Sequence, residues 1–125
     1  MKPRLGQGTF RIAVTQAYER ACAVTGEHSL PVLEAAHIRP YADEGAHDVS
    51  NGLLLRTDPH RFFDRGYVTI DPDHKLVVSP CLRLEYDNGK TYHEMQGNVL
   101  RLPPRLDDRP DNTLPEWHRE NAFAA

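Results

Sequence analysis

Two histidines and an asparagine near the middle of the chain have side chains suited to hydrolytic chemistry. They are His37, Asn51 and His60. An imidazole titrates near neutral pH, so a histidine can accept a proton from water or bind a divalent metal. An asparagine amide can hold a loop in place because it donates and accepts hydrogen bonds. Each residue alone carries little information, so their meaning depends on the elements that position them.

The residues around the first two side chains predict a pair of strands. Residues 30–38 are extended in character, and Pro40 prevents a helix from continuing through the residue before it. A polar loop follows, and the leucines at 53–55 predict a short buried strand. His37 then ends the first strand and Asn51 opens the second.

A short helix is expected to follow the second strand. Asp58 is a suitable N-cap, Pro59 suits the first helical position, and Gly66 predicts the end of the helix. His60 then lies in the first turn. Residues 31–66 therefore predict a hairpin braced by a helix, with the three polar side chains converging.

The segment before this unit has the apolar spacing of a helix. We expect the helix to cover about residues 9–23, with Thr9 as N-cap and Gly26 beyond its end. Its apolar stripe should pack on the rest of the domain and comprises Phe10, Ala13, Val14, Ala17, Tyr18 and Ala21.

The second half of the chain predicts accessory elements. Residues 67–70 and 75–78 flank turn-forming residues and predict a hairpin. Residues 91–102 are expected to hold a further strand pair, and residues 113–123 a closing helix that Trp117 anchors to the core.

The predicted elements describe an α+β fold. We expect a single domain over residues 1–125, with a core at about 30–70 and a C-terminal accessory segment at about 80–125.

Charge and composition limit the possible partners and location. The formal net charge is −3, whereas a chain that binds DNA tightly by itself usually has a basic excess. No apolar run is long enough to span a membrane, and neither Cys22 nor Cys81 belongs to a Cys-x-x-Cys pair. The sequence predicts a soluble, cytoplasmic protein.

Three motifs around the polar residues resemble a known family. They read Ala-Ala-His37-Ile-Arg-Pro, then Asn51-Gly-Leu-Leu-Leu, then Asp58-Pro-His60-Arg-Phe-Phe-Asp-Arg-Gly. This pattern resembles the HNH endonucleases, and in particular a bacterial restriction-type subgroup with an Ala-His-Ile-x-Pro motif. Residues 4–11 and 117–118 are similar to that subgroup as well. The resemblance implies a ββα-metal core, in which a hairpin and a helix hold one divalent cation.

The resemblance also implies roles for the three residues. His37 would be the general base that activates water, and Asn51 would hold the loop and His37. His60 would bind a divalent cation that stabilises charge in the hydrolysis of a DNA phosphodiester. Mg²⁺ or Mn²⁺ is expected, and histidine ligation also allows Ni²⁺ or Zn²⁺.

The residue before His37 departs from the family pattern. Many relatives have a metal-binding Asp or His there, but this chain has Ala36. Asp64 lies one turn after His60 and is the first candidate to supply the missing ligand, with Glu34 as the weaker one. A salt bridge or a contact at the helix end is the alternative role for Asp64.

A structural zinc site of some relatives is also incomplete. Of the two Cys-x-x-Cys pairs found there, this chain keeps only Cys22. A structural zinc needs about four ligands, so none is expected.

Arg39, Arg61 and Arg65 are candidates for contacts with DNA phosphates. The expected substrate is duplex DNA, and the acidic balance of the chain favours delivery to it by a separate recognition domain or partner. The subgroup implies restriction of foreign DNA. Because Ala36 replaces a ligand, the alternative is a catalytically silent module that binds nucleic acid or protein.

Overall fold

Two antiparallel strands and a helix form the centre of the molecule. The structure, a computed structural model, describes residues 6–40, 48–82 and 90–123. Strand β1 (Leu33–His37) pairs with β2 (Gly52–Arg56), and His37 lies opposite Gly52. Helix α2 (Thr57–Asp64) follows β2 directly. The predicted hairpin and helix are confirmed.

Helix α2 starts earlier than the sequence predicted and ends where it predicted. Arg56 is the N-cap, so Pro59 occupies the third helical position, where a missing N–H is still tolerated. The Asp58 side chain pairs with Arg56 and does not cap the helix. Gly66 has a φ of 80°, a left-handed conformation that ends helices and favours glycine.

The N-terminal helix, α1 (Gln7–Ala17), is shorter than the predicted helix over 9–23. It starts before Thr9, with Gly6 at the N-cap position. It stops at Ala17 because Glu19 and Arg20 take positive φ angles of 55° and 59°. The helix packs on both strands of the hairpin through one buried stripe, Phe10, Val14 and Tyr18.

The second predicted hairpin is confirmed. Strand β3 (Val68–Ile70) pairs with β4 (Leu76–Val78) in an antiparallel register. The predicted strand pair at 91–102 is wrong. Helix α3 (Lys90–Glu94) occupies its first part, and one bridge joins Val99 to Lys75. Gly97 takes a φ of 83° and turns the chain after α3, which leaves room for that short pairing only.

The closing helix, α4 (Thr113–Asn121), packs on β3. His118 anchors it, with 2% of its surface exposed, and Trp117 is half-buried; the expectation for Trp117 was wrong. The His118 Nε2–H donates to the Phe63 carbonyl at 2.7 Å, so Nδ1 accepts the Thr69 hydroxyl at 2.6 Å. The imidazole also stacks on the Phe63 ring, with centroids 3.7 Å apart.

The buried apolar side chains of α1, both hairpins and α2 join one core. In the described part of the chain, three short 3₁₀ helices connect the elements, at Leu30–Val32, Val49–Asn51 and Leu106–Asp108. The α+β fold with a ββα centre is confirmed. Among the helices in the described ranges, none has the length and apolar character to cross a membrane.

Candidate active site

His37 ends β1 and faces a large cleft. The cleft has a volume of about 1020 Å³, and Glu34, His60 and Asp64 also line it. The imidazole of His37 is half-buried and stacks on the Phe10 ring, with centroids 4.2 Å apart and ring planes within 7°. The cleft therefore collects the two histidines and both candidate carboxylates of the sequence analysis.

Asn51 fixes the backbone that leaves β1. Its Oδ1 accepts the Arg39 N–H and its Nδ2 donates to the Arg39 carbonyl, both at 2.9 Å. The Asn51 carbonyl accepts the Ile38 N–H at 2.9 Å. Only 2% of Asn51 is exposed, so these bonds are shielded from water. The Asn51 side chain therefore holds Arg39 and its backbone carbonyl holds Ile38, which agrees with a bracing role.

His60 lies between the two carboxylates that the sequence offered as alternatives. Its Nδ1 is 2.9 Å from Glu34 Oε1, and its Nε2 is 3.1 Å from Asp64 Oδ2. The hydrogen bond with Asp64 raises the pKa of His60 most, burial opposes this shift, and Glu34 adds to it. The ring therefore holds a proton more tightly than an ordinary histidine.

The carboxylates lie at different edges of the His60 ring. Ionised carboxylates only accept hydrogen bonds, so both bonds exist together only when the ring is protonated. Within residues 6–40, 48–82 and 90–123, no three His, Cys, Asp or Glu side chains are arranged to hold one ion. However, one imidazole nitrogen with one carboxylate suits a divalent cation, and the other carboxylate can then hold the ring.

Ala36 is part of the core. It pairs with Leu53 across the hairpin and is 1% exposed. Its methyl group cannot bind a metal, so the position that carries a ligand in many relatives contributes packing in this chain.

The three candidate arginines differ in their surroundings. Arg65 lines the cleft, whereas Arg61 is exposed on α2 and is not one of the lining residues. The Arg39 guanidinium lies 5.3 Å from the centroid of the Trp117 ring, which also lines the cleft.

One network near the site was missed by the sequence analysis. Arg56 donates to both oxygens of Asp58, at 2.5 and 2.8 Å, and the Tyr92 hydroxyl of α3 also donates to Asp58. Arg56 holds the pKa of Asp58 below its usual range, and burial raises the pKa of Tyr92 to about 12. The opposite charges of Arg56 and Asp58 were visible, but Tyr92 gave no signal because it is distant in sequence.

Cys22, the remaining residue of the zinc motifs, links two segments. Its Sγ accepts the Arg56 N–H at 3.2 Å and the Thr25 N–H at 3.4 Å, and the side chain is fully buried. The sulfur therefore joins the turn before β1 to the end of β2.

A hairpin and helix that present two histidines to one cleft define the ββα class of nucleases. Residues 22–71 match the family model described as HNH endonuclease. These residues form an HNH endonuclease domain. The chain is also similar to the solved structure titled "Modification dependent TagI restriction endonuclease" at 26% identity, with a TM-score of 0.61.

The similarity covers 90% of this chain and 36% of that one, so this chain spans about a third of its solved relative. No curated protein matches the chain.

Proposed function

We propose that the chain is a divalent-metal-dependent DNA endonuclease. The observation that carries the proposal is that His37 and the Glu34–His60–Asp64 cluster line the same cleft. Phosphodiester hydrolysis needs a base that activates water and a positive charge that stabilises the departing oxygen. The two parts of the cleft can supply these two functions.

His37 is the general base in this proposal. It takes a proton from the attacking water at near-neutral pH, and Asn51 acts through the backbone to keep it in place. The support is the hydrogen bonding of Asn51 around residues 38 and 39.

His60 and Asp64 are the residues we assign to the cation, and Glu34 then orients the His60 ring from its Nδ1 edge. The bound cation would supply a Lewis acid that stabilises negative charge on the phosphate. A site with one imidazole and one carboxylate accepts Mg²⁺ or Mn²⁺, and also Ni²⁺ or Zn²⁺.

The substrate we propose is duplex DNA, which other parts of a larger protein or a partner bring to the cleft. Arg39, Arg61 and Arg65 would contact phosphates near the site. The net charge of −3 favours help in DNA binding. The similarity to a restriction endonuclease, of whose chain the match covers 36%, favours a role in restriction of foreign DNA.

The test is a plasmid-nicking assay with Mg²⁺, Mn²⁺ or Ni²⁺. We expect nicked and linear DNA that EDTA prevents, and ends that DNA ligase can seal because hydrolysis leaves a 5′ phosphate and a 3′ hydroxyl. The His37→Ala variant should lose the activity. If the wild-type chain binds DNA under the assay conditions but cuts it with none of these metals, the proposal is wrong.

A second candidate is a catalytically silent module that binds nucleic acid or protein. Ala36, buried where a ligand is usual, is the observation that favours it. Calorimetric titration with Mn²⁺ separates the two functions. Binding that His60→Ala removes supports the enzyme, and no binding up to millimolar Mn²⁺ supports the silent module.

A further inference from the structure

Helix α1 lies outside residues 22–71, the segment that matches the HNH family, yet it reaches His37. We propose that Phe10 is a positioning residue, which fixes the plane of the His37 imidazole so that one ring nitrogen faces the cleft. The inference rests on the proposed role of His37 as the base. It assigns part of the catalytic geometry to a helix beyond the ββα unit.

The first support is the contact between the two rings. They are nearly parallel, with planes within 7° and centroids 4.2 Å apart, and Phe10 is 1% exposed. A ring that is buried and packed in the core resists displacement. Rotation of the imidazole about its Cβ–Cγ bond would drive its edge into the Phe10 face, so the stack restricts that rotation.

The second support is the close approach of α1 to the hairpin. A Cβ built at Gly52 would lie 2.5 Å from Cγ2 of Val14 and 3.2 Å from Cζ of Phe10. The φ of Gly52 is −114°, which any residue can adopt, so glycine here provides space. Gly52 pairs with His37, and its carbonyl accepts the Tyr18 hydroxyl at 2.8 Å. Phe10, Val14 and Tyr18, which follow each other at intervals of four residues, therefore all contact the strand pair that carries His37.

The two neighbours of His37 thus have different tasks. Asn51 holds the backbone after it, and Phe10 holds the ring itself. Backbone bonds do not fix the two side-chain dihedrals of the imidazole, and the ring contact restricts them directly.

The test compares Phe10→Leu with Val78→Ala, a core substitution in β4 that loses buried volume away from His37. For Phe10→Leu we expect the single-turnover nicking rate at saturating protein to fall roughly tenfold, since misplacing a catalytic group by ~1 Å costs up to 10²-fold. The protein concentration for half-maximal rate should not change. Val78→Ala should nick DNA at the wild-type rate.

Proton NMR of the His37 ring gives a readout that does not depend on cleavage. The stacked Phe10 ring shields the imidazole protons, so Phe10→Leu should move their resonances downfield, and His37→Gln identifies them by their loss. Phe10→Met, whose side chain is unbranched and more flexible, covers the case in which Phe10→Leu fails to fold.

Unchanged His37 resonances or an unchanged nicking rate in a folded Phe10 variant would overturn the inference. If the wild-type chain shows no cleavage, the proposed function fails, and the resonances still test whether Phe10 stacks on the His37 ring.

Discussion

The two candidate catalytic histidines, His37 and His60, are held in opposite ways. His37 is fixed by neutral, buried groups: the Phe10 ring against its face and Asn51 at the backbone beyond it. His60 is fixed by charges near water, since the side chains of Glu34 and Asp64 are 48% and 54% exposed.

This difference suits two chemical tasks. A base must face its substrate in one orientation throughout the reaction, and close packing provides this without charge. A metal site must exchange a proton for an ion, and exposed carboxylates can rearrange when that happens. The same hairpin and helix therefore combine a rigid part around His37 with an adjustable part around His60.

The largest effect on nicking should come from replacing His37 and His60 one at a time. We expect His37→Ala to slow nicking by about 10²–10⁴-fold, the usual contribution of a general base, while Mn²⁺ affinity stays the same. His60→Ala should abolish both nicking and Mn²⁺ binding. Nicking assays and calorimetry on the same preparations measure the two properties. Loss of Mn²⁺ binding in His37→Ala would contradict the division of tasks.

In the adjustable part, a matched pair of substitutions separates the role of Glu34 from that of Asp64. Glu34→Gln and Asp64→Asn each remove one negative charge beside His60. We expect Glu34→Gln to weaken Mn²⁺ binding about tenfold, because it loosens the ring. Asp64→Asn should weaken binding more, because it removes a ligand. The reverse order in calorimetry would assign Glu34 to the ion and Asp64 to the ring.

The sequence predicted the catalytic unit well because its signals are local. Pro40 and Gly66 restrict the backbone directly, and the leucines of β2 require burial, so strand and helix ends followed from neighbouring residues. These signals also placed His37 and His60 correctly on their elements.

What the sequence did not predict depends on contacts between distant residues. The periodicity of α1 placed Phe10 in the core, but its partner His37 became known only from the fold. Likewise, His118 gave no signal, and its role comes from Phe63 and Thr69 on other elements. The strand pair expected at 91–102 failed because Gly97 turns the chain.

The rigid part should respond strongly to a single methyl group. Gly52→Ala places a Cβ 2.5 Å from Cγ2 of Val14, so the Val14 side chain or α1 must shift. We expect a loss of about 1–3 kcal/mol in the free energy of unfolding, as for other overpacked cores. Gly8→Ala is the control, because a Cβ there meets nothing within 4 Å. Urea unfolding measures both, and equal stability of the two variants would refute the close approach.

The smallest effect is on the free energy of unfolding, and it depends on pH. It comes from His118 on α4, the helix that lines one side of the cleft. Burial lowers the pKa of His118, while its bond to Phe63 and the charge of Asp64 oppose the shift. The unfolded chain therefore takes up a proton at the ordinary histidine pKa, about 6.5, before the folded chain does. The stability that His118 contributes is complete above this pH and decreases as the pH falls towards the lowered value. The slope cannot exceed about 1.4 kcal/mol per pH unit.

His118→Gln isolates this contribution, because glutamine does not titrate and both proteins keep His60. We expect the variant to be less stable at pH 7.5 but to lose less stability than the wild type between pH 7.5 and pH 5.5. Urea unfolding at the two pH values measures the difference. Equal losses would mean that His118 takes up protons equally in the folded and unfolded chains, so burial would not lower its pKa.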